Sequence, residues 1–112
     1  MKIKHVINRR VKMAVQECRQ VIIDAIVELL KQIGAEDSQY VTLNNMLIMH
    51  QRTMDGMMRT VLCDRVSYYV DRENKYHLIA SGGDYCIQLS SELSLDNLQM
   101  LYGEVRKVVR EH

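Results

Sequence analysis

The chain has 112 residues, 47% hydrophobic and 26% charged, with a formal net charge of +1, a size and balance that exclude disorder and a second domain, so one α+β domain over 1–112 is expected. No apolar run nears the ~20 residues of a membrane span and no signal-peptide block opens the chain. Cys18, Cys63 and Cys86 suit neither a disulfide framework nor a zinc knuckle, so a cytoplasmic protein with reduced thiols is expected.

The first predicted element is a long helix. Val11, Ala14, Val15, Cys18, Val21, Ile22, Ala25, Ile26, Leu29 and Ile33 recur at spacings of three and four, the stripe of an α-helix. Ile3, Val6 and Ile7 continue that spacing backwards, so the helix starts between Lys2 and Arg9, and Gly34 offers a left-handed stop. Ile23, Val27 and Leu30 fall beside the main stripe. Burying them is worth roughly 5 to 9 kcal/mol before entropy, so either the second helix or another subunit must cover them. They are the candidate protein contact.

After a polar connection and a short extended piece, YVTLNN, the pattern becomes β. The runs MLIMHQRT and MMRTVLC flank an Asp-Gly turn. A two-residue loop sets Arg52 against Arg59, so the three-residue register is expected. In CDRVSYYVDRENKYH, a three-residue loop over Arg72–Asn74, with Asn74 left-handed, closes on Asp71 and Lys75 and pairs Val70 with Tyr76, Tyr68 with Leu78 and Val66 with Ala80. Gly82-Gly83 is expected to form a two-residue loop pairing Ala80 with Tyr85, Leu78 with Ile87 and Tyr76 with Leu89. That register leaves Ser67, Tyr69, His77, Ile79, Cys86 and Gln88 on the outer face.

Strand parity fails at Asp64. Val66, Tyr68 and Val70 share parity with Asp64, whereas Val61 and Cys63 do not, so a β-bulge or a break is expected at Asp64-Arg65. The alternative is a buried Asp64 carboxylate held by Arg65 or by backbone amides. The last element is a helix with Ser94 as N-cap, Leu93 against Leu98 as a hydrophobic staple, and Leu98, Leu101, Tyr102, Val105, Val108 and Val109 as its buried stripe. Gly103 inside it suggests a close helix contact. The expected architecture is a two-layer α+β sandwich: long N-terminal helix, antiparallel meander of about four strands, C-terminal helix.

Chemistry-bearing residues are sparse. His77 and Cys86 lie diagonal in the expected register without a third group to orient the His, and no set of metal ligands accompanies them. Gly82-Gly83 joins strands and so lacks the helix N-terminus a phosphate loop uses. No catalytic residue, metal or cofactor is expected. The N-terminal segment carries Lys2, Lys4, Arg9, Arg10, Lys12 and Arg19 against Glu17 alone, a local +5. The residues thus lead to a non-enzymatic interaction domain, a homodimer or a partner of another protein, that does not engage membranes. A nucleic-acid accessory protein using Lys2, Lys4, Arg9, Arg10 and Lys12 is the second expectation, and an enzyme the third.

Overall fold

In the computed structural model, which describes residues 2–83 and 86–112 apart from the side chains of residues 2–13 and of Cys86, the first element is a single helix, α1, Lys2–Gln32. The helix ends in a Schellman arrangement: Gly34 takes a φ of 84°, its N–H bonds Lys31 O at 3.0 Å, and the Ala35 N–H bonds Leu30 O at 3.0 Å. Four antiparallel strands follow in meander order, β1 (Val41–Arg52), β2 (Met58–Val70), β3 (Tyr76–Gly82) and β4 (Cys86–Leu89). A turn of 3-10 helix, Ser90–Glu92, leads to the second helix, α2, Leu95–Glu111. This is the α+β architecture expected from the sequence.

Two of the three hairpins have the expected register. Arg52 pairs with Met58, and the Thr53 N–H bonds Met57 O at 2.8 Å around a loop whose Gly56 has a φ of 86°. At the next turn Asn74 has a φ of 62°, the Asp71 N–H bonds Lys75 O at 3.0 Å, and Val70, Tyr68 and Val66 face Tyr76, Leu78 and Ala80. Asp71 stabilises this turn further by accepting the Glu73 and Lys75 N–H groups on Oδ1 at 2.8 and 2.9 Å.

The third hairpin departs from expectation. Gly82 pairs with Cys86, Ser81 with Ile87, Ala80 with Gln88 and Ile79 with Leu89, a three-residue displacement that reverses the faces of β4. Gln88 is therefore buried, at 3% exposure, and Ile87 is exposed at 65%. The expected partner Tyr85 lies outside the described residues. The physical reason is Gly82: a Cβ there would stand 2.1 Å from Leu62 O, so this glycine belongs to β3 where β2 crowds it and is not free to form the turn.

That crowding coincides with the parity failure. Val61 and Cys63 point inward, as do Val66 and Tyr68, so the side-chain alternation of β2 slips at Asp64-Arg65. In the β1–β2 ladder the shift falls between Thr42 and Leu47, whose partners are Arg65 and Cys63. Gln88 Nε2 in β4 donates to Gln51 Oε1 in β1 at 2.9 Å, a side-chain bond that joins the two edge strands across the bent sheet.

Both helices pack on the inner face. Ile23, Ile26, Val27 and Leu30 of α1 join Leu98, Leu101 and Val105 of α2 over Met49, Val61, Cys63, Val66, Leu78 and Ala80 in one cluster. Ser94 Oγ accepts the Asn97 N–H at 3.1 Å, and Leu93 and Leu98 are both buried, the cap and staple expected. Gly103 is no close contact, because a Cβ added there would meet nothing within 4 Å.

Candidate functional site

Helix α1 has 31 residues and α2 has 17, or about 46 Å against about 25 Å at 1.5 Å per residue. The shorter helix cannot cover the longer. Ile23, Val27 and Leu30, expected as a protein contact, are at 5%, 0% and 0% exposure, sealed by α2 and the sheet. That expectation is corrected: their own chain covers them, because they form the centre of the face α1 turns toward the core.

The uncovered surface lies on the preceding turns. Ala14, Val15, Gln16, Glu17 and Cys18 are exposed in succession. Five consecutive exposed residues exceed one helical turn, so no described element encloses α1 there. Val21 is exposed at 66%. Where α1 meets the start of α2, a groove of about 450 Å³ opens between Ala14, Glu17, Cys18, Val21 and Ile22 on one side and Leu95 and Gln99 on the other. Its lining is mostly apolar. Arg19 fixes the helix at this boundary, donating from Nη1 to Leu93 O at 2.5 Å and from Nη2 to Ser90 O at 2.6 Å. The sequence displayed this stripe through its spacing, and the expected lengths of the two helices already differed, but nothing local told where along α1 the shorter helix docks.

The basic residues Lys2, Lys4, Arg9, Arg10 and Lys12 all belong to α1, and their side chains lie outside the described residues. The sheet's outer face is a second uncovered surface, with Ile48 opposite Leu62 and with Ile87 and Leu89 exposed. It is interrupted by His50 and Thr60 in one cross-strand pair and by Arg65, whose pair Ser81 is itself buried.

The polar candidates separate. His77 pairs with Tyr69 and stacks on its ring at 5.0 Å between centroids, while Cys86 pairs with Gly82, roughly 17 Å farther along β3. The expected diagonal of His77 and Cys86 is thereby corrected. His77 Nε2 instead meets Asp71 Oδ2 at 2.7 Å. This contact with His77, with the turn's backbone N–H groups, holds the Asp71 carboxyl below the usual aspartate range. A cleft of about 200 Å³ adjoins His77, lined also by Arg19, Lys75, Ser90 and Ser91. Several of its groups are already engaged: Ser90 Oγ, buried, accepts the Leu78 N–H at 3.1 Å, and Arg19 holds two carbonyls. This is the bonding of a structural joint.

Asp64 is half-buried, with Oδ1 3.5 Å from Arg65 Nε; that oxygen is shielded and accepts no hydrogen bond. Arg65 Nη2 donates to Gly83 O at 2.9 Å. The pair thus sits at the sheet's bend. Among the described residues no group of three His, Cys, Asp or Glu side chains is placed to hold a metal ion, and no helix is long and apolar enough to cross a membrane. Comparison with protein-family models, curated proteins and solved structures finds no match to this chain.

Proposed function

We propose that this protein is a non-enzymatic interaction domain that associates with itself through the uncovered face of α1. One observation carries the reading: the apolar stripe continues through Ala14, Val15, Cys18 and Val21 after the covering helix has ended, beside a groove that extends onto α2. Apolar surface contiguous over several turns and edged by polar residues is what a helix offers to another helix. The sheet's outer face, broken by Arg65, His50 and Thr60, is the weaker candidate. Sedimentation equilibrium tests the reading. The wild type is expected as a dimer at micromolar concentration and Val21→Asp as a folded monomer with an unchanged circular dichroism spectrum; a wild type monomeric up to several hundred micromolar removes the proposal.

A second reading follows from the charge of the same helix. Residues 2–12 carry five basic residues and no acid in the first turns of α1, a form suited to phosphate contacts. It requires DNA or RNA binding that weakens steeply with salt and is lost when Arg9 and Arg10 become Ala. Absence of binding at low salt rejects it.

A further inference from the structure

The uncovered stripe has a stricter spacing than helix amphipathicity requires. Ile7, Val11, Ala14, Cys18, Val21 and Ala25 follow one another at steps of four, three, four, three and four, the heptad seam of a two-stranded coiled coil. Of the members whose side chains are described, Ala14, Cys18 and Val21 are exposed and Ala25 is half-buried. A seam of this kind needs a partner helix of the same spacing, and this chain supplies one in a second copy.

Direction is decided by charge. Residues 2–12 contain five basic residues and no acid, whereas residues 20–30 contain Asp24 and Glu28 and no base. Two parallel α1 helices place the basic segments side by side. Two antiparallel helices in the register that sets Ile7 against Ala25, Val11 against Val21 and Ala14 against Cys18 lay residues 2–12 of each copy along residues 20–30 of the other. All six seam positions are used, and the contact is isologous, as a two-fold dimer demands. Opposite charge then flanks the seam at both ends. The groove between α1 and the first turns of α2 lies beside the centre of this register, where Leu95 and Gln99 extend the contact.

We infer that the partner is a second copy whose α1 runs antiparallel, with Ala14 of each copy facing Cys18 of the other. This rests on the self-association proposed above and specifies its geometry. The register is read by disulfide trapping. Ala14→Cys introduces a thiol opposite the partner's Cys18. Under mild oxidation this variant is expected to run as a covalent dimer on a non-reducing gel, and the link is expected to be lost in Ala14→Cys/Cys18→Ser. Wild type is expected to link far less readily: each Cα lies about 2.3 Å from its axis, so facing positions across helices about 8 to 10 Å apart have Cα atoms roughly 3.4 to 5.4 Å apart, whereas the two Cys18 residues are also about 6 Å apart along the axis, roughly 7 to 8 Å in all and at the limit of the ~7 Å a disulfide spans.

A wild-type dimer that links through Cys18 as readily as the Ala14→Cys variant does, or an Ala14→Cys dimer that does not link, overturns the antiparallel register while leaving self-association intact. A protein that sediments as a monomer overturns both. Salt gives a second measurement: the antiparallel dimer weakens as sodium chloride is raised from low concentration, because attraction is screened, and a dimer that tightens instead rejects this arrangement.

Discussion

Two stretches of α1 share one apolar helical spacing and are opposite in circumstance. Residues 23–30 present Ile23, Ile26, Val27 and Leu30 to α2 and the sheet and are sealed from water; residues 14–21 leave Ala14, Val15, Cys18 and Val21 exposed, with only the start of α2 bordering them among the described residues. Apolar spacing therefore does not decide what a helix buries. The lengths of neighbouring elements do, since α2 spans little more than half of α1. The teaching is that one amphipathic helix can serve a core at one end and an interface at the other, with Arg19 anchoring the boundary.

The contrast can be tested by equivalent truncations. Leu30→Ala, at a fully buried side chain, is expected to cost about 2 to 5 kcal/mol in urea unfolding. Val21→Ala, on the uncovered half, is expected to change monomer stability by about 0.5 kcal/mol or less when measured at dilution sufficient to dissociate the dimer. A comparable loss at both sites would erase the distinction. Strengthening the cover is the next test. Gly103→Ala in α2 meets no neighbour and gains helix propensity, so an increase of about 0.5 to 1 kcal/mol is expected, with the dimerisation constant unchanged.

The smallest effect concerns the attachment of α2 to the sheet. Glu104 is held below the usual glutamate range by Lys107, whose Nζ is 2.9 Å from Oε1, with Asn45 of β1 donating to Oε2 at 3.2 Å. A depressed folded value means the carboxylate adds stability above the ordinary glutamate range, and that contribution is lost as pH falls through the folded value. The stability advantage of wild type over Glu104→Gln is therefore expected at neutral pH and should shrink on acidification, read as melting temperature against pH. A gap that widens in acid contradicts the assignment.

Much of the sheet could be read from local chemistry. The Arg52–Arg59 repulsion and the Asp71–Lys75 closing pair each selected a register that the structure has, because a hairpin's register is set by residues adjacent in sequence. Gly82-Gly83 misled because a glycine has two uses, a left-handed turn or a close approach. The Leu62 carbonyl that requires the second use is twenty residues away in sequence. Gln88 moved inward with that shift, and its partner Gln51 lies 37 positions distant. The site was legible to a similar depth: helical spacing revealed both the Ile23–Leu30 group and the Val11–Val21 stripe, but which of them is covered depends on where α2 docks, a contact that no local pattern encodes.

One consequence attaches to the irregular middle of β1. This is one of the sheet's two edge strands, 12 residues long, and an edge of that length is a template onto which a stray chain can add. The register shift between Thr42 and Leu47 breaks its outer row into two short pieces. Across the break, Asn44 and Asn45 donate to Glu111 and Glu104 of α2 at 2.7 and 3.2 Å, so the helix guards the interval. The same slip that bends the sheet thus limits fibril-like growth from its free border, and a variant that straightened β1 would trade a curved sheet for an aggregating one.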